Sequence, residues 1–378
     1  MNPSQILTGQ IFALERSLGR AKESVTRQGQ EANSRLLKRV HGRFENDLLG
    51  LRNRCLSLSK RIGNEDTGEA AWAQFGKLQA EAWELMKECL AFLEGALVRK
   101  AGIDGGVCDL ADAMLYELSE KTDMCWQRFT LAAAGEFFST ISGIIRLRYT
   151  DTDIWNLPIA AHEFGHFVSS TGIFKEEFDE ITRVQKGKKP SYESHLRELF
   201  SDLFATYALG PSLVLNCALL RFSPVGAYQE GSTHPSASQR IWWMLETLAK
   251  MDESEGNPTH SAVAAEVKEA WTAAVKAAGE NEVLSDDEIS RLRGWLAELY
   301  DLVDSRIPGV RYRSFLRAQE YTQAFRNDQG PQLREEDQIT DVLNGAWGYR
   351  FGAPSAKGYE VDQIGKKAFA ICATISRR

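Results

Sequence analysis

Apolar residues recur every three or four positions through most of this chain, the spacing that lines up one face of an α-helix. Between residues 4 and 61 no proline interrupts the pattern, and Ile6, Ile11, Leu14 and Leu18 are followed by Leu48, Leu49, Leu51 and Leu56. That length predicts an antiparallel helical hairpin or short coiled coil. Gly63 to Gly68 reads as a turn, and Trp72, Phe75, Trp83, Leu85 and Phe92 then mark an amphipathic helix over 69–100. Gly102, Gly105 and Gly106 break the pattern before a helix near 108–120. Met251 to Pro258 reads as a linker, and 260–350 as helical, with Ser285 to Glu288 as a capped helix start. Gly345 to Pro354 ends that region, and 359–376 forms a last helix.

Three stretches depart from this period. Ile144 to Tyr149 alternates like a strand, with Phe129 to Ala133 as its expected antiparallel partner and a turn at 134–136. Residues 175–190, with Lys186, Lys188 and Lys189, read as a charged, mobile loop. Leu203 to Leu220 carries no charge over 18 residues, the lower limit for a membrane helix, but Gly210-Pro211 divides it. Two short buried helices account for it, and no membrane association is expected. The fold class is therefore mainly α with a small antiparallel β-element. An N-terminal helical bundle at 1–122 and a helical region at 251–378 flank a central unit at 123–250.

Composition narrows the class without naming a function. A hydrophobic content of 43% and a charged content of 26% are ordinary for a globular chain. A net charge of −7 argues against nucleic acid as the main partner. Six cysteines with no CxxC spacing read as reduced thiols, and Met1 to Leu7 lacks the basic and apolar regions of a signal peptide. Both point to the cytoplasm. The N-terminal helices could dock a protein partner or serve only as scaffold.

The chemistry concentrates in the central unit. On a helix, His162 and His166 lie one turn apart on one face, so both imidazoles can reach one ion. Glu163, about 100° round from His162, can lean over a bound water without ligating the metal. Asn156 is the expected N-cap of this helix, and Pro158 falls in its first turn. A second helix carries Glu198 and Asp202, four apart on one face, flanked by Leu199, Leu203 and Phe204. The economical arrangement makes Glu198 the third ligand of one Zn²⁺, with Asp202 orienting His162. Competing assignments make Asp202 or His195 the third ligand, or leave Glu198 and Asp202 on a solvated face with Glu193 and Arg197. His234, before Pro235, is a transition-state donor or a plain turn residue. Tyr207 is an oxyanion donor or a core aromatic, and Arg240 pairs with an acid and fixes the 234–250 helix.

The two histidines around Glu163, followed by Glu198 and Asp202, resemble the gluzincin metallopeptidases. Ser232 to Ile241, containing Thr233-His234-Pro235 and Arg240, is distantly similar to the element found in the family of the CAAX prenyl protease and HtpX-type peptidases. The resemblance covers roughly residues 140–250. It implies an α+β zincin-like catalytic core and a zinc-dependent metallopeptidase acting on a protein or peptide substrate, with Glu163 as general base. It also implies that substrate lies along an edge strand, the role this assigns to 144–149. Two other functions fit the same residues: a zinc amidohydrolase on a non-peptide bond, and a helical interaction protein whose zinc site is structural or inactive.

Overall fold

The computed structural model describes residues 3–30, 35–62, 69–122, 124, 130–133, 137–139, 144–148, 153–256, 258–352 and 358–378. The turns read at 63–68 and 134–136, the residues Phe129 and Tyr149, and Cys125 and Pro354 lie outside them. The chain is mainly helical, with fourteen α-helices and three short strands among the described residues.

Helices α1 (Pro3–Gln30) and α2 (Arg35–Ile62) pack as an antiparallel hairpin. Glu15 accepts from Arg52 at 2.6 Å midway along it, and Gly29 lies against His41 near the connecting end. Helix α3 (Glu69–Lys100) crosses both, burying Phe75, Leu78, Ala82, Leu85, Cys89 and Phe92 against Leu7, Ile11, Leu14, Phe44, Leu48 and Leu58. Glycines at positive φ turn the chain into α4 (Val107–Thr122), whose apolar face joins a second, larger core.

Three strands follow: β1 (Thr130–Ala133), β2 (Phe137–Ser139) and β3 (Ile144–Arg148), in the order β1-β3-β2. The expected antiparallel pairing of 130–133 with 144–148 is wrong: Thr130 faces Ile145 and Ala133 faces Arg148 in a parallel ladder. The cause is β2, which runs back along β3 (Phe137 against Arg146), so the chain reverses twice between β1 and β3. Alternation alone fixes which face is buried but not the direction of the partner. β3 is consequently the central strand and not an edge. Its Arg146, 1% exposed, pairs with Glu88 of α3 at 3.0 Å.

The larger core runs through α5 (Pro158–Ser169), α6 (Lys175–Lys188), α7 (Ser191–Leu209), α8 (Pro211–Asn216), α9 (Ala237–Glu255), α10 (Ser261–Ala277), α11 (Asp286–Arg306), α12 (Phe315–Arg326), α13 (Ile339–Gly352) and α14 (Gly358–Ile375). Three expectations change here. Residues 175–188 are a helix, because Phe178, Thr182 and Gln185 form one buried stripe beneath the charges. Residues 251–255 continue α9, with Met251 and Asp252 buried, and the helix stops only at Gly256 with φ 63°. Gly345 lies inside α13 and does not end it. A Cβ there would sit 2.3 Å from that of Tyr321, so glycine lets α12 and α13 touch.

No helix among the described residues is long and apolar enough to cross a membrane. The uncharged run from Leu203 is cut at Gly210, φ 64°, where α7 ends, and Pro211 opens α8. Trp155, just before α5, is held by the C-terminal helices. Its ring meets Trp347 edge-on at 5.3 Å, the Arg350 guanidinium lies 4.9 Å over it, and α14 fits against it at Gly365.

Candidate metal centre

Helix α5 begins at Pro158, whose missing N–H costs nothing in a first turn. Asn156 is not its N-cap. It closes a preceding 3₁₀ turn (Ile154–Asn156) capped by Asp153, and Leu157 occupies the cap position of α5 without a side-chain bond. Packing holds this helix instead: Ala160, Ala161, Phe164 and Val168 are fully buried. At Gly165 the backbones of α5 and α7 meet, and a Cβ would lie 2.7 Å from the Ser201 Cα. This close crossing carries both histidines to Glu198.

His162 Nε2 lies 3.4 Å from one Glu198 oxygen and His166 Nε2 lies 3.5 Å from the other. The ligand atoms of the three side chains all fall within 4.8 Å of one another, a group that could hold a metal ion. The rings stand nearly perpendicular, at 87° with centroids 5.0 Å apart. Behind them, His162 Nδ1 is 2.9 Å from Asp202 Oδ1. Asp202 has no exposed surface and is gripped by Arg240, whose Nε and terminal nitrogen each donate at 2.7 Å. Arg240 also stands 3.7 Å from Glu198 and lies over the Phe222 ring. His234 Nε2 is 3.4 Å from Glu198, and its Nδ1 is 2.7 Å from the Thr233 hydroxyl.

These charges set the protonation of the metal-free site. Burial disfavours a charged His162, but Asp202 and Glu198 outweigh it, and the imidazole is pushed up to about 10. Burial and the neighbouring His162 charge bring His166 down to about 4. Burial raises Glu198, yet His162, Arg240 and His166 hold it well below the usual carboxylate range. Asp202 is depressed likewise, by Arg240 and then His162 acting against burial.

The site opens into a cleft of about 560 Å³ that Glu163, 7% exposed, also lines. Two candidates lie elsewhere. Tyr207 bonds through its hydroxyl to Asp304 and Arg311 and does not line the cleft. His195 turns its Nε2 to the Gly231 carbonyl at 3.0 Å, buttressing the loop before His234 and not ligating. Asp202 is spent on Arg240 and His162, which leaves Glu198 as the carboxylate facing both imidazoles. Arg197 is only half-exposed: it lines the cleft and pairs with Glu193 and Asp179.

Sequence reasoning missed Ile159, Ser169, Ser170, Cys217, Arg221 and Phe222 as lining residues, and they complete the cleft. Arg221 ends a π-turn (Cys217–Arg221) after α8, and its one sequence signal is that it closes the uncharged run. No protein-family model, curated protein or solved structure matches the chain.

Proposed function

We propose that the protein is a zinc-dependent metalloendopeptidase of gluzincin type, hydrolysing peptide bonds of a protein substrate in the cytoplasm. The observation that carries this reading is the convergence of His162, His166 and Glu198 within 4.8 Å, with Glu163 beside them in an open cleft. Two imidazole nitrogens and one carboxylate are the protein ligands of a catalytic zinc site that keeps a position open. Asp202 fits the same chemistry, since an acceptor at Nδ1 selects the tautomer whose Nε2 lone pair is offered to a metal. The five described cysteines are buried and free, in keeping with a reducing compartment.

When bound, zinc would supply Lewis acidity, polarising a carbonyl and acidifying water. The rest falls to the chain's own residues. Glu163 takes the proton of the attacking water and returns it to the leaving amine. His234, exposed at the cleft edge, donates to the developing oxyanion. Arg240 neutralises Asp202 and so holds His162 in place. Glu163 also favours hydrolysis over a structural zinc site, which has no use for a base beside its ligands.

Elemental analysis of the purified protein tests the site, and cleavage of a mixed peptide library tests the activity. Wild type should hold one zinc per chain, and Glu198→Ala should lose it or bind it far more weakly. Glu163→Gln should keep zinc and lose cleavage. Zinc-loaded wild type that cuts no faster than Glu163→Gln would sink the peptidase reading, and zinc retained in Glu198→Ala would remove its third ligand.

A further inference from the structure

Helix α3 carries two apolar seams side by side. The first, Phe75 through Phe92, repeats at three and four residues and is buried against α1 and α2. The second is displaced by one residue: Trp83, Met86, Leu90, Leu93 and Leu97. Trp83, Leu90 and Leu97 are 56%, 58% and 53% exposed, while Met86 and Leu93 are half-buried along the border between the seams. One residue is a turn of 100°, so Trp83, Leu90 and Leu97 of the second seam point clear of the hairpin, while Met86 and Leu93 also pack against its core with their outer edges open. The sheet does not cover it either. The sheet meets α3 through Glu88, Gly95 and Arg99, which project from the opposite side of the helix.

A strict three-four repeat over roughly 21 Å is the seam of a two-stranded coiled coil, so this surface fits a helix. We propose that a second copy of the chain covers it, with α3 packing antiparallel on α3. Charge selects the copy and the register. Lys87 and Glu94 sit one heptad apart on the same flank with opposite signs. Pairing Leu90 with Leu93, and Met86 with Leu97, gives four apolar layers and brings Lys87 of each copy opposite Glu94 of the other. Sliding one copy by a heptad would set Lys87 against Lys87. Parallel packing would oppose both charges to Ala82 and Cys89, which offer none. Lys87 is well exposed and already pairs with Glu84 at 2.7 Å, so these charges choose the register more than they add affinity. A contact this short lies at the small end of specific interfaces, and the dimer should dissociate on dilution.

Sedimentation velocity of the full chain, from micromolar to several hundred micromolar, tests the proposal. Wild type should pass from monomer to dimer across that range. Leu90→Glu should stay monomeric, with a circular-dichroism melt like wild type because the side chain is exposed. Lys87→Glu should weaken the dimer several-fold, and Lys87→Glu combined with Glu94→Lys should restore it. A wild type monomeric throughout, or a dimer indifferent to Leu90→Glu, would overturn the proposal. A charge swap that fails to recover what Lys87→Glu lost would overturn the antiparallel register.

Discussion

At neutral pH the metal-free centre carries a proton where an ion would sit. His162 is pushed up to about 10 and holds that proton between Asp202 and Glu198, whereas His166, near 4, is already neutral. Loading at pH 7 should therefore release about one proton per ion, because a ligand histidine must be neutral. Calorimetry in buffers of different ionisation enthalpy measures this directly; zero release would contradict the charge arrangement. Asp202→Asn should cost 10- to 100-fold in metal affinity, the usual range for an orienting partner. The grouping of His162, His166 and Glu198, which could hold an ion, was legible in the sequence because spacings of one helical turn fix which side chains share a face. Tyr207 and His195 were not, since their partners, Asp304 and the Gly231 carbonyl, come from remote segments no local period reveals.

Among the elements, the crossing of α5 on α7 matters most. Gly165→Ala would press a methyl group on the Ser201 backbone, which cannot swing aside as a side chain could. The expected loss is about 1–3 kcal/mol of stability, with weaker metal binding as Glu198 is pushed back. Chemical denaturation and metal titration of one sample would separate the two effects. Ser236 and Gln239 form a reciprocal capping box at the start of α9, the helix that bears Arg240. Ser236→Ala should cost about 1 kcal/mol in the same denaturation experiment. Helix ends of this kind are written locally, and the cap at Ser285 was read correctly. α6 and α13 were misread because charges hid one buried stripe and glycines that admit a neighbour look like breaks.

For the molecule as a whole, buried acids set the pH range of stability. Asp337 bonds to Arg317, Tyr321 and the Arg334 amide, and these outweigh burial to bring it to about 2. Its contribution, about 2 kcal/mol, is present above the unfolded carboxylate value and lost as pH falls towards 2. Glu117 runs the other way. Burial and the nearby Asp341 raise it to about 7, so stability held at low pH is lost as pH rises through 7. Thermal melts should show Glu117→Gln gaining over wild type at pH 8 but not at pH 5. A gain equal at both values would rule out the titration.

The grip of α13 and α14 on Trp155 has a consequence for the order of synthesis. The turn that launches α5 rests on Trp347, Arg350 and Gly365, residues made some two hundred positions after the tryptophan they support. A ribosome-bound chain that has already exposed both histidines can pack α5 on α7 but still lacks this C-terminal support of the turn before it. On the proposed activity, the last support of the catalytic helix arrives only when synthesis is nearly complete.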